Sequence, residues 1–460
     1  MGWSKHMHLV TKFILVTIIC CCGSLAGQYR VVGYYPDWVN DDLPAYALDF
    51  SILTHVNHAF AWPTATGEIQ TYAGMLDIEL NVDIHENGGS ILLSFGGWGN
   101  SDGFSPMTAD PVTRQTFVTN LIDLCQYYEY DGVDFDWEHP TTQTETDNYT
   151  LLIKEIREAA DSTFDNFLVT MAIPATNWSA QHYDLDALTP YVDWFNAMTY
   201  DFHGTWTRHA GHNSPLYPSP SNDPDGSCHT SMNYLIQSRG IEPNLVNLGI
   251  PFYGKEFNAS VINGGSSGGS ITYQYNSVLN LIDAGWTYDW DAVARAPYIR
   301  NPDKTKLVTF DDPLSVREKC NYAFERGLGG VMMWALGQDV VDGKEVLLEA
   351  MRGFSTSIKD YDSSTDAYDH ELYLSSYPNP FNPQTTISYE LLELSIVDLN
   401  IYDVNGREIT TLESQRKLAG HYDLQWNGLD AEGSKVSTGV YFARLQAGDH
   451  GKTIKLLYLK

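Results

Sequence analysis

The chain has 460 residues and a formal charge of −31 at pH 7, because 58 acidic side chains outnumber 27 lysines and arginines. An acidic balance of this size repels nucleic acid and anionic membranes, so we expect neither as a partner. A neutral polysaccharide is indifferent to the sign of this charge and stays open as a ligand.

The first 26 residues have the pattern of a secretory signal peptide. Lys5 and Lys12 precede an apolar run at 13–22, and small residues at 24–26 supply a cleavage point. The run is too short to span a bilayer, so we predict a secreted or cell-surface protein. Cysteines at 20–22 leave a lipoprotein anchor as an alternative, which the bulky residues before each cysteine disfavour. At most one disulfide can form among the cysteines that remain, Cys125, Cys228 and Cys320.

Between residues 27 and 354, short apolar runs alternate with helix-length spacers. The runs lie near 30–35, 53–60, 90–96, 132–138, 167–173, 193–200, 246–252 and 328–335. This alternation predicts an α/β protein with a (β/α)8 TIM barrel, whose active site lies at the C-terminal ends of the strands. The interval at about 256–310 is too long for one helix and its loops, so we expect a small α+β insertion between strands 7 and 8, or a decorated loop.

The fourth run carries carboxylates at every second position, Asp134, Asp136 and Glu138. Side chains two apart share one face of a strand, so the three should project into one cavity. Burying like charges this close favours a protonated carboxyl near neutral pH, which is a general acid. A metal site or a salt-bridged strand end is the alternative. Asp131 lies off the common face and is expected to support the turn.

Residues 131–138 resemble the Asp-x-x-Asp-x-Asp-x-Glu signature of the family-18 glycoside hydrolases, the chitinases and their relatives. Ser94-Phe95-Gly96-Gly97-Trp98 resembles the Ser-x-Gly-Gly strand of that family, Met198-Thr199-Tyr200-Asp201 its Met-x-Tyr-Asp strand end, and Gly330-Val331-Met332-Met333-Trp334 its last barrel strand. The four motifs occur in the family's order, and the resemblance covers about residues 30–352. It implies a secreted enzyme that cleaves chitin or another N-acetylglucosamine-containing polysaccharide.

The resemblance also implies a role for each matched residue. Glu138 would be the general acid and base, and Asp136 would orient the substrate acetamide. Asp134 would share a proton with Asp136, and Tyr200 would donate to the acetamide carbonyl. Met198 and Asp201 would shape the site, and Trp334 would form its floor. Cleft-lining candidates, which core or rim packing would explain equally well, are Tyr34, Phe60, Gly97, Trp98 and Trp206.

The nucleophile has to come from elsewhere. Asp136 and Glu138 lie about 6.6 Å apart along one strand face, so they approach the sugar from the same side. The seventh strand offers no carboxylate before Glu256. The 2-acetamido oxygen of the substrate fits the role, with retention of configuration. The sequence shows no helix-borne HExxH, no CxxC pair and no phosphate-binding glycine loop, so we expect no metal and no other cofactor.

Two other functions remain open. An endo-β-N-acetylglucosaminidase acting on glycoprotein glycans would use the same residues, and a non-catalytic chitin-binding lectin could use the same barrel. The acid Glu138 argues against the lectin, because binding-only relatives commonly lack it. An insertion that walls the groove favours a long linear chain, and hence a chitinase, over a branched glycan.

The sequence beyond the barrel predicts a polar linker at 355–376 and a small β-sandwich at 377–460. Its opening at 377–383, with 401–407 and 437–441, is similar to the C-terminal sorting domains of the type IX secretion system, although Leu391-Leu392 departs from the usual Leu-Pro. The resemblance implies the secretion machinery as a partner. The alternative is a carbohydrate-binding module. The aromatic residues that could bind sugar in such a module are Tyr402, Trp426 and Tyr441, and core packing explains them more simply. We expect a monomer.

Overall fold

The computed structural model describes residues 29–40, 42–220, 223, 225–267, 271–354, 373–391, 395–417, 420–448 and 450–459. The predicted signal peptide, residues 1–26, and residues 355–372 of the predicted linker lie outside the described residues.

The strands and helices of the region up to residue 354 are given in chain order. The strands are β1 Arg30–Pro36, β2 His55–Pro63, β3 Ile69–Thr71, β4 Ser90–Gly96, β5 Gly132–Asp136, β6 Leu168–Pro174, β7 Trp194–Met198, β8 Val246–Pro251, β9 Tyr253–Phe257, β10 Thr272–Gln274, β11 Thr287–Asp291, β12 Ala296–Arg300, β13 Leu307–Thr309, β14 Gly330–Trp334, β15 Val340–Val341 and β16 Lys344–Glu345. The α-helices are α1 Ile78–Glu86, α2 Phe104–Ala109, α3 Pro111–Tyr128, α4 Gln143–Thr163, α5 Asn177–Ala180, α6 Leu185–Leu188, α7 Cys228–Asn233, α8 Tyr275–Asp283, α9 Pro313–Glu325 and α10 Val346–Glu349. Short 3-10 turns lie at Asp37–Val39, Ala45–Ala47, Thr189–Tyr191 and Pro243–Leu245, and a π turn lies at Tyr234–Ser238.

Eight parallel strands close into a barrel. Their order is β1, β2, β4, β5, β6, β7, β8 and β14, and β14 pairs with β1 to complete the ring. The strands are rich in branched apolar residues because helices cover their outer face and side chains fill the inside. The predicted (β/α)8 TIM barrel is therefore confirmed. The fourth barrel strand, β5, ends at Asp136, so Glu138 lies just beyond the strand and not within it.

The helices next to β5 begin at strong capping residues. Helix α4 begins with a capping box, in which Thr142 and Glu145 each bond the backbone amide of the other. Helix α3 has Pro111 at its first position after the capping carboxylate of Asp110. A bidentate ion pair at 2.7 and 3.0 Å joins Arg114 of α3 to Glu155 of α4. These contacts fix the two helices that cover the strand with the carboxylates.

The insertion between the seventh and eighth barrel strands is a five-stranded antiparallel sheet with one helix. Its strand order is β10, β9, β13, β12, β11, and α8 follows β10. The sheet begins at Tyr253, two residues after β8 ends, and its last strand ends at Thr309. The predicted α+β insertion is therefore confirmed, and its first strand begins slightly before the expected residue 256.

The C-terminal region consists of two antiparallel sheets with a shared apolar core. Their strands are β17 Tyr373–Tyr377, β18 Thr385–Leu391, β19 Ser395–Asp403, β20 Glu408–Lys417, β21 Gly420–Trp426, β22 Gly439–Ala447 and β23 His450–Tyr458. This confirms the expected β-sandwich. Strand β17 begins inside the range expected for the linker, and β20 was not predicted because its residues are mostly polar.

The three cysteines beyond the predicted signal peptide, Cys125, Cys228 and Cys320, are buried free thiols. This agrees with the limit of at most one bridge. Among the described residues, no helix combines the length and the apolar character that crossing a membrane requires.

Candidate active site

The innermost carboxylate, Asp134 on β5, is fully buried and accepts four side-chain hydrogen bonds. Tyr34 and Ser94 each donate to Oδ2 at 2.8 Å, and Thr170 and Asn196 donate to Oδ1 at 2.6 and 3.3 Å. Burial raises the pKa of Asp134, and these bonds oppose that rise. Donors from four other barrel strands therefore favour the ionised form of this carboxyl, against the effect of its burial.

Asp136 and Glu138 lie further toward the C-terminal end of the barrel. Burial, then the Glu138 and Asp134 carboxyls, raise the pKa of Asp136 well above its usual value. Its Oδ1 atom is buried and has no hydrogen-bond partner among the described residues. Burial, then the charge of Asp201, raise the pKa of Glu138 to about 7. At neutral pH this group of carboxyls therefore retains a proton, as a general acid requires.

The backbone around Glu138 is fixed by neighbouring side chains. The Glu138 amide donates to Ser101 Oγ at 3.0 Å, and the preceding carbonyl, of Trp137, accepts from the Tyr183 hydroxyl at 2.6 Å. Trp137 is buried and stacks on Phe104 with ring centroids 5.2 Å apart. These contacts hold the acid in place without using its carboxyl group, which stays free for chemistry.

Tyr200 and Asp201 follow β7 and face the same centre. Burial, then the charge of Asp136, raise the pKa of Tyr200 well above its usual value, so its hydroxyl remains a hydrogen-bond donor. The Asp201 backbone is left-handed, with φ of 58°. Its carboxylate bonds the Tyr253 hydroxyl at 2.6 Å and Lys255 Nζ at 2.9 Å. Two residues of the insertion therefore fix a charge that acts on Glu138.

An aromatic cluster forms the floor beside the carboxyls. Trp334 at the end of β14 stacks on Phe60, with ring centroids 5.4 Å apart and planes 19° from parallel. The ring centroids of Trp334 and Tyr34 are 5.6 Å apart. Gly97 has φ of +80°, and a Cβ there would lie 2.5 Å from the Phe60 ring, so only glycine fits. The predicted residues Tyr34, Phe60, Met198, Tyr200 and Trp334 belong to one apolar cluster.

Exposed tryptophans follow several barrel strands at their C-terminal ends. Trp98 is 83% exposed, Trp178 75%, Trp206 62% and Trp38 52%. Trp38 also contacts the Trp334 ring edge-on at 6.4 Å. Exposed rings around a polar centre suit stacking on sugar faces. Trp98 and Trp206 were predicted from the sequence, but Trp38 and Trp178 were not. Trp38 follows predicted strand 1, and Trp178 follows predicted strand 5, so their positions at strand ends were the available signal.

Two other predicted acidic residues lie away from the reacting centre. Glu256 on β9 pairs with Lys306 at 2.7 Å and accepts from the Tyr273 hydroxyl at 3.1 Å, so it is engaged within the insertion. Asp131, just before β5, accepts from the Ile91 amide at 2.8 Å, and its Oδ2 lies 2.9 Å from His85 Nε2. It supports the turn, as expected.

A barrel with a protonated carboxyl at a strand end, beside two buried carboxyls and a phenol donor, defines an acid–base hydrolase of the glycosidase kind. The sequence matches the family model for glycosyl hydrolases family 18 over residues 30–339. The chain belongs to this family, which confirms the resemblance found in its motifs. A second family model, the FlgD Ig-like domain, matches residues 384–451.

Curated relatives carry chitinase names. Chitinase A1 of Niallia circulans is 28% identical over 68% of this chain and 57% of its own length. Probable chitinase 2 of Drosophila melanogaster is 30% identical over 67% of this chain and 72% of its own length. Putative chitinase 1 of Margaritifera margaritifera is 30% identical over 73% and 76%. The chain thus spans just over half the length of the first of these relatives.

Solved structures agree on the fold. The Group IV chitinase of Ostrinia furnacalis, in complex with allosamidin, superposes with a TM-score of 0.65 at 28% identity, covering 70% of this chain and 98% of that one. A family 18 N-acetylglucosaminidase from Paenibacillus barengoltzii gives a TM-score of 0.64 at 28% identity, covering 71% and 100%. The predicted class of enzyme, a glycosidase of the chitinase family, is confirmed.

Proposed function

We propose that this protein is a chitinase that hydrolyses β-1,4 linkages between N-acetylglucosamine units. The observation that carries the proposal is the pairing of buried Asp136 with half-buried Glu138 at the end of β5, where Glu138 has a pKa of about 7. A group with this pKa can give a proton and take it back near neutral pH. The chitinase names of the relatives support the choice of polymer.

The proposed reaction uses the substrate as its own nucleophile. Glu138 protonates the glycosidic oxygen, the bond from that oxygen to C1 breaks, and the acetamide oxygen bonds to C1. Water then attacks C1, gives a proton to Glu138 and opens the oxazolinium ring, so configuration is retained. Asp136, with its raised pKa, orients the acetamide nitrogen, and Tyr200 donates to the acetamide oxygen. Glu256 is paired with Lys306, which supports an acetamide nucleophile over a protein one.

The test compares N-acetylglucosamine hexamers with the same oligomers after complete deacetylation. We expect hydrolysis of the first with retention at C1, measured by separating the anomers of fresh products, and no hydrolysis of the second. Cleavage of the deacetylated oligomers, or a sugar trapped covalently on any side chain, would contradict the mechanism.

The two other functions are less well supported. A lectin has no need of a carboxyl whose pKa lies near 7. An endo-β-N-acetylglucosaminidase would use the same residues, but tryptophans exposed after β1, β4, β6 and β7 suit an extended chain of sugars across the barrel end. Digesting a high-mannose glycoprotein beside the hexamers distinguishes the two. Faster release of intact glycans than of chitin fragments would favour the endo-β-N-acetylglucosaminidase.

For the C-terminal sandwich we propose a sorting role in secretion, with the enzyme acting outside the cell as a monomer. The motifs at 377–383, 401–407 and 437–441 support the sorting role. Trp426 and Tyr441 are buried in the sandwich core, which leaves them unsuited to sugar binding. A chain of residues 1–354 should hydrolyse chitin but remain inside the native host. Normal secretion together with lost adsorption to insoluble chitin would instead identify a binding module.

A further inference from the structure

Four side chains in the loops that follow β7 form a second polar centre, the His/Asp cluster, made of His203, His209, Asp223 and Asp225. His203 Nε2 lies 3.0 Å from His209 Nε2, 3.1 Å from Asp223 Oδ2 and 3.6 Å from Asp225 Oδ2. His209 Nε2 lies 3.3 Å from Asp223 Oδ2. The side chains of His203 and Asp223 are each only 1% exposed. Ligand-type atoms from four residues thus converge on one point.

The hydrogen-bond partners of His203 show that the His/Asp cluster has more acceptor lone pairs than N–H donors. His203 Nδ1 lies 2.8 Å from the His212 carbonyl oxygen, which can only accept, so Nδ1 carries the ring hydrogen. In the neutral ring, Nε2 then presents a lone pair toward the Asp223 carboxylate, which is also an acceptor. A single N–H from His209 would have to serve both. A cation at the shared point would satisfy every lone pair.

We propose that the His/Asp cluster binds a divalent transition-metal ion, with zinc as the best fit. Imidazole nitrogens and carboxylate oxygens are both zinc ligands, while calcium and magnesium prefer oxygen alone. Tetrahedral bonds of about 2.0–2.1 Å place ligand atoms about 3.3–3.4 Å apart. The contacts from His203 Nε2, at 3.0, 3.1 and 3.6 Å, bracket that value. The bond from Nδ1 to a carbonyl also orients a metal-binding histidine in the usual way.

The metal would stabilise a loop at the edge of the active site. The loop from His203 to His209 carries Trp206, whose ring lies 5.0 Å from Lys255 Nζ. Lys255 in turn pairs with Asp201, the residue whose charge acts on Glu138. Zinc would join this loop to the segment containing Asp223 and Asp225. The sequence gives no sign of such a site, because His-x5-His and Asp-x-Asp lie apart in the chain and match no common zinc motif.

The test uses the full chain, stripped with a chelator and titrated with zinc by calorimetry, with cobalt absorption as a second readout. We expect one zinc ion per chain, a rise in melting temperature, and a tetrahedral cobalt spectrum. Losing only a hydrogen bond to a ligand weakens metal affinity by about 10–100-fold, so His209→Ala should weaken it by at least about 100-fold. Asp225→Asn, at a partly exposed ligand, is the second variant if His209→Ala fails to fold.

The control is His450→Ala, at an exposed histidine of the C-terminal sandwich, which should leave zinc binding unchanged. Failure of the stripped wild-type protein to bind zinc stoichiometrically would overturn the proposal. Equal affinity in the wild type, His209→Ala and Asp225→Asn would do the same, since it would place zinc elsewhere. Neither result depends on which polysaccharide the active site cleaves.

Discussion

The hydrogen bonds to Asp134 give a direct way to change the proton balance of the site. Two donors reach Oδ1, Thr170 at 2.6 Å and Asn196 at 3.3 Å, so Thr170 supplies the stronger bond to that oxygen. Thr170→Val keeps the shape of the side chain and removes only the donor. On Oδ2, by contrast, Ser94 and Tyr34 both donate at 2.8 Å, so Ser94→Ala leaves an equal partner.

The expected size follows from the charge on the acceptor. A hydrogen bond to a charged group is worth about 1.5–3 kcal/mol, and three donors remain to compensate, so we expect Thr170→Val to lower the free energy of unfolding by about 1.5 kcal/mol at pH 7. The same loss raises the pKa of Asp134 further, so the proton shifts from Asp136 toward Asp134. Because about 1.4 kcal/mol corresponds to a tenfold change in an equilibrium, kcat should fall by about tenfold.

Denaturant unfolding at pH 7 and steady-state kinetics on N-acetylglucosamine hexamers measure both effects. Thr119→Val, on an exposed side chain that bonds its own helix α3, is the matched control and should stay within about 0.5 kcal/mol of the wild type. A Thr170→Val enzyme as stable and as active as the control would refute the idea that this hydrogen bond stabilises the ionised form of Asp134.

Two further predictions concern pH. Burial, then the charge of Asp201, raise the pKa of Glu138 to about 7, so Asp201→Asn should move the alkaline fall of kcat/KM to lower pH. An unmoved alkaline limb would contradict this coupling. Glu345 lies beside Asp339, and burial followed by that neighbour raises its pKa from 4.5 to about 9, so the folded state binds more protons than the unfolded state between those values. The free energy of unfolding should therefore fall as pH rises from about 5 to 9. Glu345→Gln should flatten this fall in unfolding curves, and an unchanged slope would show that Glu345 is not its source.

Much of this site is readable from local sequence. Asp134, Asp136 and Glu138 are spaced by two; the period of a strand places the first two on one face, and Glu138 follows just beyond the end of β5. The strand ends that carry Tyr200 and Trp334 follow from apolar runs, and barrel geometry then brings them together. These placements can be predicted because the alternation is strong and each motif lies on, or directly after, one strand.

Contacts between residues that are far apart in the sequence could not be predicted in this way. The ion pair between Lys255 and Asp201 joins the insertion to the residues after β7 only when the chain has folded. No sequence spacing predicts this pair. Trp38 and Trp178 look like ordinary aromatic residues in sequence, and their exposure is what marks them. The His/Asp cluster combines two loops. In each case the contact depends on tertiary placement and not on local periodicity.

In the proposed reaction Glu138 supplies the proton to an N-acetylglucosamine linkage, and Glu138→Gln removes that proton. The amide keeps the size of the side chain and cannot transfer the proton, so kcat should fall by at least about 10²–10⁴-fold. Binding of the hexamer, measured by calorimetry, should stay within a few-fold of the wild type, as should the unfolding midpoint. Turnover equal to that of the wild type would contradict the claim.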